Sequence, residues 1–154
     1  MRNASLIAAY LLAGCFDENQ AATLFQGTYP GESSYAATIT GNGDGLAGAA
    51  PLTAIADGDL TLDLGSGCML AFDDVMLATD SRGRGTSATA MLAGAGCSVP
   101  VDGGTATFNV TSGSSTSTGG TSLAVSIGGE LTSWVGAPAT GFITVMFQGA
   151  WAHD

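Results

Sequence analysis

Carboxylates are the most numerous side chains in this sequence that could bind a metal ion or transfer a proton. The 154-residue chain has 13 Asp and Glu residues, three arginines and no lysine. Beyond residue 20, the groups of acids and amides that stand close together are Asn42 with Asp44, Asp57 with Asp59 and Asp63, and Asp73 with Asp74. A calcium loop starting near Asn42 would lack its twelfth-position glutamate, and nothing selects two acids as a glycosidase pair. We therefore interpret these groups as turn-forming and solvent-facing residues.

Nucleophilic and cationic chemistry have few candidates. His153 is the only histidine, and the sequence has no Gly-x-Ser-x-Gly motif that would present a nucleophilic serine. The absence of lysine excludes Schiff-base chemistry and a P-loop. Arg82 and Arg84 stand in a predicted loop, where they could bind a carboxylate or phosphate or else form a solvated turn with Asp80. We expect no catalytic residue, no metal site and no cofactor.

The composition favours one folded domain and opposes nucleic acid as a partner. Hydrophobic residues make up 45% of the chain and charged residues 10%, which suits a packed core rather than a disordered polyelectrolyte. The length fits a single domain, since domains commonly have about 100–200 residues. The formal net charge of −10 repels the phosphates of nucleic acids and of anionic lipids.

The first fifteen residues have the layout of an export signal. Arg2 precedes the apolar run Leu6–Leu12, which ends in Ala13-Gly14-Cys15. A positive start, about 7–15 apolar residues and small residues at the cut are typical of a secretory signal. The run is shorter than the roughly 20 apolar residues that a membrane-spanning helix needs. The alternative is a buried N-terminal helix that contains a cysteine by chance.

The tetrapeptide Leu12-Ala13-Gly14-Cys15 resembles the lipobox of bacterial lipoproteins. The resemblance implies that residues 1–14 are a signal peptide, that Cys15 receives a diacylglyceryl group, and that residues 15–23 are a short polar tether. Each buried methylene contributes about 0.8 kcal/mol, and two or more acyl chains anchor a protein stably. Phe16 stands where an aspartate commonly retains a Gram-negative lipoprotein in the inner membrane, which implies an envelope protein of the outer membrane.

Cys68 and Cys97 form an even pair once Cys15 carries the lipid. An exported domain lies in an oxidising compartment, where paired cysteines commonly form disulfides. Strand alternation puts each sulfur on an apolar face, Cys68 with Leu70 and Phe72, and Cys97 with Val99 and Val101. A bridge closing a loop of about 30 residues would stabilise the domain by about 3–4 kcal/mol. The alternative is two free buried thiols.

Alternating apolar and polar residues predict strands through most of the remaining chain. The clearest are Leu60–Leu64, Ala106–Val110, Leu123–Ile127 and Ile143–Phe147, and the weaker ones are Leu24–Tyr29, Ser34–Thr40, Cys68–Phe72, Thr86–Leu92 and Cys97–Val101. Glycine-rich turn signals separate them, and Ser112–Thr118 is interpreted as a long hairpin loop rather than a linker. Apart from one helical turn near Ala47–Thr53, we expect an all-β domain over residues 24–154. It would be a single antiparallel meander closed as a barrel, or alternatively a β-sandwich.

The two ends of this domain resemble the first and last strands of calycin-like barrels found in bacterial lipoproteins. The residues concerned are Gly27-Thr28-Tyr29-Pro30-Gly31 and the run Gly141–Gly149. The resemblance implies that these strands pair and close the barrel. It also implies an interior that the aromatic residues either fill or line as a cavity for one small ligand.

Three functions follow from these expectations. The first is a non-catalytic envelope protein that acts on other proteins or glycans through its β-surface. The second is a carrier of a small apolar ligand inside the barrel, an analogy with the fold rather than an inference from a site. The third, and least supported, is an enzyme that uses two carboxylates.

Overall fold

A computed structural model describes residues 20–42, 44–65, 67–119 and 121–152 of the chain. A six-residue helix spans residues 20–25. The strands are β1 (Gly27–Ile39), β2 (Leu46–Ala56), β3 (Thr61–Asp63), β4 (Met69–Thr79), β5 (Gly85–Ala93), β6 (Gly96–Val101), β7 (Gly104–Thr118), β8 (Ser122–Trp134), β9 (Ala137–Pro138) and β10 (Gly141–Ala150). Within these ranges, no helix has the length and hydropathy to cross a bilayer. The all-β class predicted from the sequence is confirmed.

The strands form one antiparallel sheet whose pairings close on themselves. The sheet order is β6-β7-β5-β4-β3-β2-β1-β10-β8-β9, and β7 also pairs with β8. Eight strands therefore form a ring in the order β1-β2-β3-β4-β5-β7-β8-β10, while β6 and β9 pair only with β7 and β8 respectively. The first and last strands of this ring, β1 and β10, pair from Gly31–Gly149 to Ile39–Gly141. The antiparallel sheet and the pairing of its first strand with its last agree with the expectation from the sequence.

Side chains alternate between the two faces of the sheet, as strand geometry requires. On β8, for example, Leu123, Val125 and Ile127 are buried while Ser122 and Ala124 are exposed. The buried side chains of the ring form one continuous hydrophobic cluster, to which every long strand contributes. The core therefore lies on the inner side of the ring, and hydroxyl and small side chains cover much of the outer side.

The ring is closed less tightly between β2 and β3 than at its other strand pairings. Strand β2 pairs with β3 only at Ile55 and Ala56, although it pairs with β1 along its whole length. Proline in sheets is largely confined to edge strands, and Pro51 lies in the stretch of β2 that has no partner on its second side. The helical turn expected near Ala47–Thr53 is wrong, because this stretch is part of β2.

Two further segments differ from the sequence-based expectation. The Ser/Thr/Gly run Ser112–Thr118 was expected to be a loop. It is the C-terminal half of β7, which pairs with both β5 and β8. Residues 20–25 are helical, so β1 begins only at Gly27 and the strand predicted over Leu24–Tyr29 is wrong in its first half. The last residues of the expected tether, 20–23, lie in this helix.

Candidate functional site

The helix over residues 20–25 closes one end of the ring. The Phe25 ring stacks on Phe72 of β4 with centroids 4.2 Å apart, and both Ala21 and Phe25 are fully buried. The Gln20 side-chain oxygen accepts a hydrogen bond of 3.1 Å from the amide of Gly85, at the start of β5. Contacts with different strands hold the helix, so the chain enters the domain at a fixed point.

Buried hydroxyls satisfy the carbonyls at the end of this helix. The last turn of a helix leaves carbonyl groups without intrahelical partners. Tyr29 donates a hydrogen bond of 2.8 Å to the carbonyl of Phe25, and the Ser117 hydroxyl donates to the carbonyl of Leu24. Burial raises the pKa of the Tyr29 hydroxyl, while its hydrogen bond with Ser117 acts in the opposite direction. Residues of β1 and β7 thus tie the helix to the sheet.

Large aromatic side chains occupy the interior of the ring. Phe25, Tyr29, Phe72, Phe108 and Phe147 are all buried and belong to the single core cluster. Of the two roles expected for the inward aromatics, these contacts support core packing. The hydroxyl of Ser115 is also buried, and among the described residues it has no hydrogen-bond partner.

The cysteines Cys68 and Cys97 lie at disulfide-bonding distance, with their Cα atoms 4.1 Å apart and both side chains buried. Cys68 is in the turn between β3 and β4, and Cys97 is in β6. Among the described strands β6 pairs with β7, and this bridge adds a covalent link from β6 to the turn that precedes β4. The geometry supports the disulfide that the sequence predicted and not the two free thiols.

The carboxylates of the β2–β3 and β3–β4 connections bind their own backbone. Asp57 accepts hydrogen bonds from the amides of Asp59 and Thr61 at 3.0 and 3.3 Å, and Asp63 accepts one from Gly65 at 2.7 Å. A hydrogen bond from the Thr61 side chain is the main cause that lowers the pKa of the Asp57 carboxyl. These contacts agree with the turn-forming role inferred from the sequence. Within the described ranges, no three His, Cys, Asp or Glu side chains converge as metal ligands would.

The arginine loop between β4 and β5 is a turn organised by Asp80. The Asp80 carboxylate accepts hydrogen bonds from the amides of Arg82 and Arg84 at 2.8 and 3.0 Å, and it forms a salt bridge of 2.8 Å with the Arg84 guanidinium. The amide of Arg84, followed by that of Arg82, lowers the pKa of this carboxyl. The solvated turn is therefore the interpretation that the contacts favour.

Two predicted groups lie outside the described residues: Cys15 with the whole lipobox, and His153. Asn42 is described, and its amide donates to the carbonyl of Ile39 in the turn after β1. The exposed methionines were not among the residues predicted to form a site. Their alternation with inward-facing residues on β4, β5 and β10 was the signal that the sequence offered.

No protein-family model matches this chain, and no curated protein resembles it significantly.

Proposed function

We propose that this protein is exported, is anchored in the cell envelope by a lipid on Cys15, and acts without catalysis through the outer surface of a calycin-like β-barrel. The ring of eight paired strands is the basis for the barrel, and its meander order suits that architecture. The partners are proteins or glycans of the envelope.

The buried aromatic side chains on the inner side of the ring are the observation that favours a surface role over a ligand carrier. Six buried aromatic side chains belong to the core cluster, and the helix over residues 20–25 covers one end of the ring. A carrier of an apolar ligand would instead need inner volume that its own side chains leave free. We therefore assign partner recognition to the outer surface of the domain.

The position of the helix determines which end of the domain a lipid on Cys15 would hold near a bilayer. Five peptide units connect Cys15 to Gln20, a length that spans at most about 18 Å. Gln20 itself is fixed by its hydrogen bond to Gly85. A lipid on Cys15 would therefore hold this end of the domain close to a bilayer and leave the β6–β7 end directed away from it.

The anchor is tested by expressing the full chain and a Cys15→Ser variant in a Gram-negative host and separating membrane from soluble fractions. We expect the native protein in the membrane fraction, with an intact mass that lacks residues 1–14 and includes acyl chains. Cys15→Ser should appear in the soluble fraction. Equal fractionation of the two proteins, or an unmodified mass, would overturn the proposal.

A Phe16→Asp variant is the matched control for localisation. It keeps the lipidated cysteine, so it should remain membrane-bound but move from the outer to the inner membrane in a density gradient. The carrier function is tested separately by mass spectrometry of organic extracts of the purified native protein. A stoichiometric apolar ligand in those extracts would contradict an interior filled by the protein alone.

A further inference from the structure

All four methionines within the described residues lie on the outer side of the ring. Met69, Met76, Met91 and Met146 are 58%, 69%, 50% and 53% exposed, whereas the core contains Leu, Ile, Val, Phe and Ala. Methionine is ordinarily among the residues most often buried. Its placement here, outside the core and inside strands, presents thioether sulfurs to solvent.

A bulge in β4 brings two of these methionines together. Asp73 pairs with Met91 of β5, and Met76 pairs with Thr89, so that Asp74 and Val75 together stand opposite one residue of β5. Asp74 has a φ of 45°, in the left-handed region where Asp is tolerated better than most residues. Such an extra residue is a β-bulge, and it changes which residues of the strand share a face.

The bulge puts Asp73 and Met76 on the same face of the sheet. Without the bulge, Asp73 and Met76 would point to opposite sides, since they are three residues apart. With it, both are exposed on the outer side, whereas Phe72 is buried and Leu77 packs against the core. Met76 and Met91 then become diagonal neighbours, a relation in which Cα atoms are about 7–8 Å apart and long side chains can meet.

The carboxylate of Asp73 stands directly across from Met91. One of its oxygens accepts a hydrogen bond of 2.9 Å from the amide of Asp74, which fixes the carboxylate beside the bulge. Cross-strand partners have Cβ atoms only about 4.5–5.5 Å apart. Two flexible thioethers and one carboxylate therefore surround the same patch of the outer surface.

We propose that Met76, Met91 and Asp73 form a binding site for a soft monovalent metal ion, Cu(I) or Ag(I). Thioether sulfur selects soft ions, whereas Ca²⁺ and Mg²⁺ require several oxygen ligands that this patch does not bring together. The Asp73 carboxylate supplies the negative charge that offsets that of the ion. The proposal does not depend on the lipid anchor or on the function proposed above.

The test uses the full chain carrying Cys15→Ser, because a free thiol would compete for Ag(I), and chloride-free buffer. Ag(I) is titrated while the methyl groups of ¹³C-labelled methionine are followed by NMR. We expect the Met76 and Met91 signals to shift together and saturate at one ion per chain. The Met69 and Met146 signals should move only at higher Ag(I) concentrations. Equal responses of all four methionines would overturn the proposal.

Substitutions provide the second measurement. Met76→Leu and Met91→Leu should each weaken Ag(I) binding by about tenfold or more, and Asp73→Asn should weaken it less. Met69→Leu and Met146→Leu remove equally exposed thioethers elsewhere, so they should leave the affinity unchanged. Because all these side chains are exposed, thermal unfolding without metal should remain that of the parent. Unchanged affinity in Met76→Leu or Met91→Leu would contradict the site.

Discussion

The Tyr35 hydroxyl accepts a hydrogen bond of 3.1 Å from the backbone amide of Asp102. This contact joins β1 to the turn between β6 and β7, two segments that are 67 residues apart in the sequence. The Tyr35 ring also packs edge-on against Trp134 of β8, with centroids 5.7 Å apart. Tyr35 therefore connects strands across the part of the ring where β2 and β3 share only two residue pairs.

The position of Tyr35 requires a glycine at residue 48. A Cβ atom on Gly48 would lie 2.5 Å from the Tyr35 hydroxyl oxygen. We predict that Gly48→Ala lowers the free energy of unfolding by about 1–3 kcal/mol, because the ring must shift and its hydrogen bond to Asp102 is lost. Gly45→Ala is the control, since its added Cβ would have its nearest contact at 3.8 Å. Equal urea midpoints for both variants would contradict this prediction.

The two inward serines of β7 should respond oppositely to alanine. Ser117 donates to the carbonyl of Leu24, whereas the Ser115 hydroxyl has no hydrogen-bond partner among the described residues. Ser117→Ala should destabilise the domain by about 1 kcal/mol, and Ser115→Ala should be neutral or stabilising, because a buried hydroxyl without a partner costs about 1–3 kcal/mol. Chemical denaturation of both variants measures the difference. Destabilisation by Ser115→Ala that equals the effect of Ser117→Ala would refute the prediction.

The bridge between Cys68 and Cys97 should contribute a large part of the stability. It closes a loop with a sequence separation of 29 residues. Restricting the unfolded chain over such a loop is worth about 3–4 kcal/mol in the chain-entropy model. A Cys68→Ala/Cys97→Ala double variant should lose about that amount in guanidinium denaturation, and reductant should then have no further effect on it. A double variant as stable as the parent would contradict the structural role.

Alkaline pH should loosen the helix over residues 20–25 through Tyr29. Burial raises the pKa of Tyr29 in the folded protein above its unfolded value near 10. The neutral hydroxyl therefore contributes stability that is complete below about pH 10 and is lost as the pH rises through the folded pKa. Tyr29→Phe should be less stable at neutral pH by about 0.5–1.5 kcal/mol, since it loses the hydrogen bond to Phe25, and should show a weaker alkaline loss. Parallel alkaline curves for the two proteins would count against this role.

Local patterns in the sequence were sufficient to predict the buried faces of the strands with strong alternation. Leu123, Val125 and Ile127 on β8 and Ile143, Val145 and Phe147 on β10 are buried as predicted, because successive strand residues must face opposite sides. The even number of body cysteines was likewise enough to predict the Cys68–Cys97 pair. The candidate metal site was not predicted, because the sequence offered no sign of the bulge that puts Asp73 and Met76 on one face.

Weak patterns failed where distant residues decide the local structure. Phe25 belongs to a helix because it stacks on Phe72 and because Tyr29 and Ser117 satisfy the carbonyls at the helix end. Ser112–Thr118 is a strand despite its loop-like composition. A Cβ on Gly113 would lie 2.8 Å from that of Leu92, so a residue without a side chain is what allows β7 to approach its neighbours.

The sequence alone determined the strand-rich class and the faces of the strongly alternating strands, because each depends on residues within a few positions of one another. Tertiary structure alone decided that β7 meets β8 to complete the ring, that the helix covers one end, and that Met76 lies beside Met91. These features depend on contacts between residues far apart in the chain, where the geometry of one strand sets the position of another.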